Sequence, residues 1–324
     1  MFFRRESRRL PAITGLIAAI GLVVTGSAQA QPVPTDQPLQ QELGERVDFD
    51  IALGEGDVFA YRTRMNLRIE QEIADGDLTS QVLSYDVTSR FTVQGVDDEG
   101  VATVSMKVID ATITIADGDE QTELKVGQLA DGGQYGSPFA AAIANTVVTL
   151  VISPDGLITS VLGAEDYQAA LDATDGADPR QIGFFSAEQI REIYEPLFTI
   201  EELNGKPRRV GTGWATSRVV ELPPVAVIDL DYTWKFQGML EEVATMTSRV
   251  VTNIRRPSTP DPARPTIAIE GSSGNVVTQW NRELQRVTRR ISTLSLDTRW
   301  TLGELELTQK QQSSVRIESV PVTE

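Results

Sequence analysis

Apolar residues occupy every second position over runs longer than an ordinary strand, and this period of two restricts the fold more than any other feature. Phe59, Tyr61, Met65, Leu67, Ile69 and Ile73 share one face, with Arg62, Arg64, Asn66, Arg68, Glu70 and Glu72 on the other. The segment reads as a long, half-buried β-strand. Ala74-Asp75-Gly76-Asp77 supplies turn chemistry, after which Leu83, Tyr85, Val87, Phe91 and Val93 alternate with Ser84, Asp86, Thr88, Arg90 and Thr92. A third strand follows the turn at Asp97 to Gly100. Its apolar phase slips from Val104, Met106 and Val108 to Ala111, Ile113 and Ile115, which predicts a β-bulge near Val108 and Ile109. Bulges bend strands, so the sheet should be curved.

The middle of the chain follows another pattern. Residues 138–145 are small and read as a helix or loop, while 147–152 and 157–162 flank Ser153-Pro154-Asp155-Gly156, a hairpin signal. Residues 164–171 suggest a short helix. Ser186 can cap a second, with Gln189 reaching back as a capping box, an apolar face of Ile190, Ile193, Tyr194 and Leu197, and Pro196 to end or kink it. From Gly211 the strand pattern resumes, and Ile228, Leu230, Tyr232, Trp234 and Phe236 alternate with Asp229, Asp231, Thr233, Lys235 and Gln237. The proline-rich stretch 255–265 reads as an exposed loop, and strand-like runs fill 266–320.

The two β-rich parts align. Residues 91–103 match 234–245 with one gap at Gly100, pairing Gln94-Gly95 with Gln237-Gly238 and Ala102-Thr103 with Ala244-Thr245. Upstream, Gly56-Asp57-Val58-Phe59 parallels Gly211-Thr212-Gly213-Trp214; downstream, Val147-Val148-Thr149 parallels Val276-Val277-Thr278. Three segments in one order argue for a duplicated unit. The same residues carry a family resemblance. The Gly56-Asp57 opening with Phe59 and Tyr61, the acidic turn before Val101-Ala102-Thr103, the Ser153-Pro154-Asp155-Gly156 hairpin and the restart from Gly211 to Trp214 resemble an exported bacterial family known as domain of unknown function 6263. The resemblance spans nearly all of residues 47–310. The chain departs from it at Trp280-Asn281-Arg282-Glu283-Leu284, where a glycine-containing turn is expected, so that hairpin should be longer. The family has no established activity, and the resemblance supplies no catalytic residues.

The expected fold is therefore mainly β: two related units of long curved antiparallel sheet with a short helical segment between them. The expected boundaries are an export signal at 1–30, a flexible leader at 31–46, a first β unit at 47–163, a helical connector at 164–207 and a second β unit at 208–320. Arg4, Arg5, Arg8 and Arg9 precede an apolar run over 13–24 and a small-residue exit at Ala28-Gln29-Ala30, which predicts a mature start at Gln31 and a periplasmic or secreted protein. The run is too short to span a bilayer comfortably, and no transmembrane helix is expected in the mature chain.

Composition excludes several chemistries. Neither cysteine nor histidine occurs among the 324 residues, so disulfides, thiolate or imidazole metal sites, and nucleophile-histidine catalysis are all absent. Lys+Arg number 29 against Asp+Glu 46, a net charge of -17 that disfavours nucleic acid. None of the five lysines, Lys107, Lys125, Lys206, Lys235 and Lys310, has a serine three residues before it, which removes the serine-lysine acyl-transfer motif. The acidic tips at Asp97, Asp98 and Glu99, and at Glu241 and Glu242, lack the spacing of paired catalytic carboxylates, and Asp117-Gly118-Asp119-Glu120 lacks the alternation of a calcium loop. No cofactor, metal or enzymatic activity is expected.

What remains is the aromatic and methionine content of the apolar strand faces. Tyr61, Met65, Tyr85 and Phe91, with Trp214, Tyr232, Trp234 and Phe236, are core residues that could also line an apolar cleft partly covered by residues 186–197. Two function classes stay open: a carrier or binding module for an apolar or lipid-like ligand, and a structural or protein-interaction component of the cell envelope.

Overall fold

The alternating runs pair neighbour to neighbour into one antiparallel sheet. The computed structural model describes residues 46–73, 78–126, 137–175, 178–199, 206–222, 226–255, 266–302 and 305–322. The export signal, all of the leader but Arg46, the turn at 74–77 and residues 256–265 of the proline-rich loop lie outside the described residues. The strands are β1 (Arg46–Val47), β2 (Val58–Ile73), β3 (Leu78–Val96), β4 (Ala102–Asp117), β5 (Glu120–Val126), β6 (Val147–Ile152), β7 (Ile158–Leu162), β8 (Arg208–Arg209), β9 (Gly213–Leu222), β10 (Ala226–Leu240), β11 (Val243–Arg255), β12 (Thr266–Asn281), β13 (Arg286–Leu302) and β14 (Leu305–Val320). The main sheet runs β7-β6-β4-β3-β2-β14-β13-β12-β11-β10-β9, with β5 also on β4, while β1 pairs with β8.

The two related units are thus halves of one sheet, joined where β14 lies beside β2 and Val315 faces Met65. Two of the three aligned segments correspond, while the third does not, since Val147 is exposed and pairs with Lys107 whereas Val276 is buried and pairs with Ser248, the counterpart of Met106. Register shifts between Val93 and Gly95 on β3 and between Phe236 and Gly238 on β10. Gly56 N donates to Val93 O at 3.0 Å and Gly211 N to Phe236 O at 2.8 Å; Val93 N and Phe236 N return bonds to Asp57 O and Thr212 O. Beside the bulges, Gln94 Nε2 donates to Ser105 Oγ and Gln237 Nε2 to Thr247 Oγ1. The bulge expected in the third strand is present: Thr88 faces Asp110 and Ser89 faces Val108, leaving Ile109 as the extra residue. The hairpin between Asn281 and Arg286 turns through residues 282–285, and Gln285, with φ 47°, takes the left-handed conformation usually left to glycine.

Among the described residues three helices interrupt the strands. α1 (Pro138–Asn145) is capped by the Ser137 hydroxyl, α2 (Glu165–Asp172) follows β7, and a 3-10 turn (Pro179–Phe184) leads into α3 (Ala187–Phe198). Ser186 Oγ accepts from Gln189 N, as expected of an N-cap, but the capping box is half made: Gln189 Oε1 is buried without a hydrogen-bond partner. Pro196 is accommodated in the final turn, and the helix stops two residues later.

One helix reveals how strongly the sheet curls. Strands β7 and β9 are the two ends of the eleven-strand path, which laid flat would sit roughly 48 Å apart. The 12-residue α3 is only about 18 Å long. Yet it meets both: Glu195 Oε2 accepts from Ile158 N of β7 at 2.9 Å, and Glu192 Oε1 accepts from Arg218 of β9 at 2.5 Å. The sheet must therefore wrap around the helix, and its end strands face each other across α3 instead of pairing. The buried residues point inward; charged pairs such as Arg62–Asp86 at 2.6 Å and Arg299–Glu306 at 3.2 Å sit on the outer face.

Candidate functional site

The concave face under α3 is built from the aromatic positions that the alternation singles out. Ile190, Ile193, Tyr194, Leu197 and Phe198 of α3 are all buried against it. The Tyr194 ring lies 5.1 Å from Phe91, and its hydroxyl sits 3.1 Å from Ser89 Oγ and 3.5 Å from Thr63 Oγ1. Phe198 meets Phe91 at 6.2 Å and Phe59 at 6.3 Å, and Phe59 in turn stacks on Phe91 and touches Tyr61. Tyr61 donates to Val287 O at 2.6 Å and Tyr85 to Arg180 O at 2.5 Å, and burial pushes both phenols well above their ordinary range. Met65 is buried in the same row.

The second set gathers separately. Tyr232, Trp234 and Trp214 form a stacked series with centroid spacings of 6.1 and 6.0 Å, and the Trp234 indole donates to Thr216. Arg208 lies over Trp214 and Arg290 over Trp234. Phe236 is covered by Phe49, 5.3 Å away, which also packs on Trp280, whose indole donates to Asp50 O. The eight expected residues are thus divided between two clusters. Helix α3 lies over the first, while Phe49 covers Phe236 in the second. Phe49 follows the short β1 and sits outside any long alternating run, which is why sequence patterning passes over it.

The polar side of α3 was also hidden from pattern reading. Glu192 and Glu195 are buried, and desolvation raises both carboxyls above the ordinary glutamate value; Arg218 opposes this at Glu192, and the Ile158 N–H opposes it at Glu195. Glu192 Oε2, like Gln189 Oε1, is buried without a hydrogen-bond partner. The only sequence signal was negative: acidic residues at helical spacing on a helix otherwise apolar enough to be buried.

Among the described residues, two cavities lie elsewhere, and the eight aromatic and methionine positions line neither. One, of about 510 Å³, opens on the outer face between Asn66, Arg68, Ser273, Asn275, Thr293 and Gln312. The other, of about 320 Å³, is bordered by Ile51, Leu53, Val96, Ile152 and Phe198. At the acidic tips, the Asp97 carboxylate accepts from Glu99 N and Val101 N, so it holds its own turn. Among the described residues, no group of three or more acidic side chains is placed to hold a metal ion, and no helix is long and apolar enough to cross a membrane.

No family model matches the chain, and neither does any curated protein. Among solved structures, lipovitellin, from a study of its lipid-protein interactions, is similar at 11% identity and a TM-score of 0.41 over 83% of this chain. The chain spans about a quarter of lipovitellin, 26% of its length. OpdQ of Pseudomonas aeruginosa is similar at 9% identity and a TM-score of 0.27, covering 82% of this chain and 100% of that one. OccK5 (OpdH) of the same organism gives 7% identity and a TM-score of 0.26 over 83% and 100%.

Proposed function

We propose that this chain is an exported, non-enzymatic carrier that takes an apolar or lipid-like ligand onto the concave face of its sheet in exchange for α3. The observation that carries this reading is the way α3 is seated. A permanent core helix is expected to satisfy its buried polar groups, whereas α3 leaves Gln189 Oε1 and Glu192 Oε2 unsatisfied while pressing Tyr194 and Phe198 onto Phe59 and Phe91. Releasing the helix would rehydrate those polar atoms and uncover an aromatic surface that a hydrocarbon chain could cover instead. Burial of such a chain contributes about 0.8 kcal/mol per CH₂, so affinity needs no charged recognition. The arginine-led segment ending at Ala28-Gln29-Ala30 supports export.

Native mass spectrometry of protein gently purified from its own host tests both parts. The expected result is a polypeptide beginning at Gln31 that carries an extractable lipid. A folded mature protein that carries none, and shows no saturable binding of a fluorescent acyl probe, would favour a structural role in the envelope.

A further inference from the structure

The cavity of about 320 Å³ sits where α3 ends, bordered by Ile51, Leu53, Val96, Ile152, Pro154 and Phe198. Phe198 belongs to two places at once: it borders this cavity, and its ring also contacts Phe59 and Phe91 of the concave face. It is the partition between them. Its helical turn lacks one backbone bond, because Pro196 has no N–H and so leaves the Glu192 carbonyl without its helical donor, while Glu195 Oε2 accepts from Ile158 N of β7 and Thr199 N donates to Glu195 O. Below it, the Phe198 carbonyl rests on Gly156, where a β-carbon would stand 2.0 Å from the oxygen. The last turn of α3 therefore packs its backbone directly on the β6–β7 turn, an approach that glycine at 156 permits.

We propose that this cavity is the port through which the hydrocarbon end of the ligand reaches the concave face, with Phe198 as its gate and the polar end of the ligand left outside. The proposal rests on the carrier reading and adds a selectivity to it. The port is framed on one side by the acidic turn that carries Asp97, Asp98 and Glu99, whose flanking residues Val96 and Gly100 border the cavity. An anionic head would be repelled there, so the ligand is an acyl or alkyl chain whose head is uncharged or cationic.

Two fluorescent probes with the same chain, one a fatty acid and one the matching alcohol, test this on the mature protein. Ala52 borders the port and is exposed, so Ala52→Trp narrows the opening without touching the core. Wild type is expected to bind the alcohol about ten-fold more tightly than the acid at neutral pH and low salt, and Ala52→Trp to slow association about ten-fold at unchanged melting temperature. Phe198→Ala should speed association. Wild-type binding with an unchanged association rate in Ala52→Trp would overturn the port and leave the carrier reading standing. Equal affinity for the two probes would overturn the selectivity. Absence of binding to either probe by folded wild type would overturn the carrier reading and the port with it.

Discussion

Glu192 shows how one side chain can report on the seating of a whole helix. Its carboxyl is raised by desolvation, with Glu188 and Glu195 adding to that and Arg218 of β9 opposing it. A carboxyl raised in the folded state favours the fold fully below its ordinary value of 4.5 and loses that contribution as pH rises through the raised value. Asp86, Asp178 and Glu318 act in the opposite sense, since their lowered values stabilise the fold above the ordinary carboxylate range and lose this as pH falls. The difference between wild type and Glu192→Gln isolates the first effect. As pH rises above about 4.5 the melting temperature of wild type should fall relative to that of Glu192→Gln, as read by circular dichroism. A flat difference would place the carboxyl in contact with solvent. The aromatic rows were legible in the sequence because side chains alternate along a strand, but Glu192 and Arg218 were not: the two groups meet only once the sheet has curled.

Glycines in two hairpins, β3–β4 and β6–β7, separate what local pattern controls from what tertiary contact controls. Gly95 lies beside the β3 bulge, with open space where a β-carbon would be, whereas Gly156 has φ +88° and the Phe198 carbonyl in its way. Gly95→Ala should change stability by no more than about 0.5 kcal/mol. Gly156→Ala should cost about 1–3 kcal/mol or more in denaturant unfolding, since it adds backbone strain to a clash with the end of α3. Equal effects of the two changes would mean that α3 does not rest on the β6–β7 turn. Turn chemistry, the bulge at Ile109 and the paired hairpins at Gln94 and Gln237 could all be read from the sequence, because each is set by neighbours within a few residues. That α3 spans the opening of the sheet could not be read, because it depends on the total curl of eleven strands.

The molecule as a whole is a sheet that almost closes, with a helix where closure would occur. Replacing the polar link between α3 and β9 by apolar side chains should make that closure permanent. Glu192→Leu with Arg218→Met is expected to raise stability by about 1–4 kcal/mol, as buried ion pairs often yield to well-packed hydrophobes, and to weaken acyl-probe binding. A variant both stabler and still binding at full affinity would argue that α3 never leaves. The placement of β14 against β2 has a different kind of consequence. The first and last long strands of the fold are neighbours at mid-sheet, so Met65 waits for Val315 and no early part of the chain can complete its own pairing. Until the final strand is delivered, β2 and β13 each present a long row of unsatisfied amides, the kind of edge that seeks other chains. A chain folding from its N-terminus would thus keep both edges open until β14 had been delivered, and a product cut short before Leu305 would leave two open edges for proteases to find.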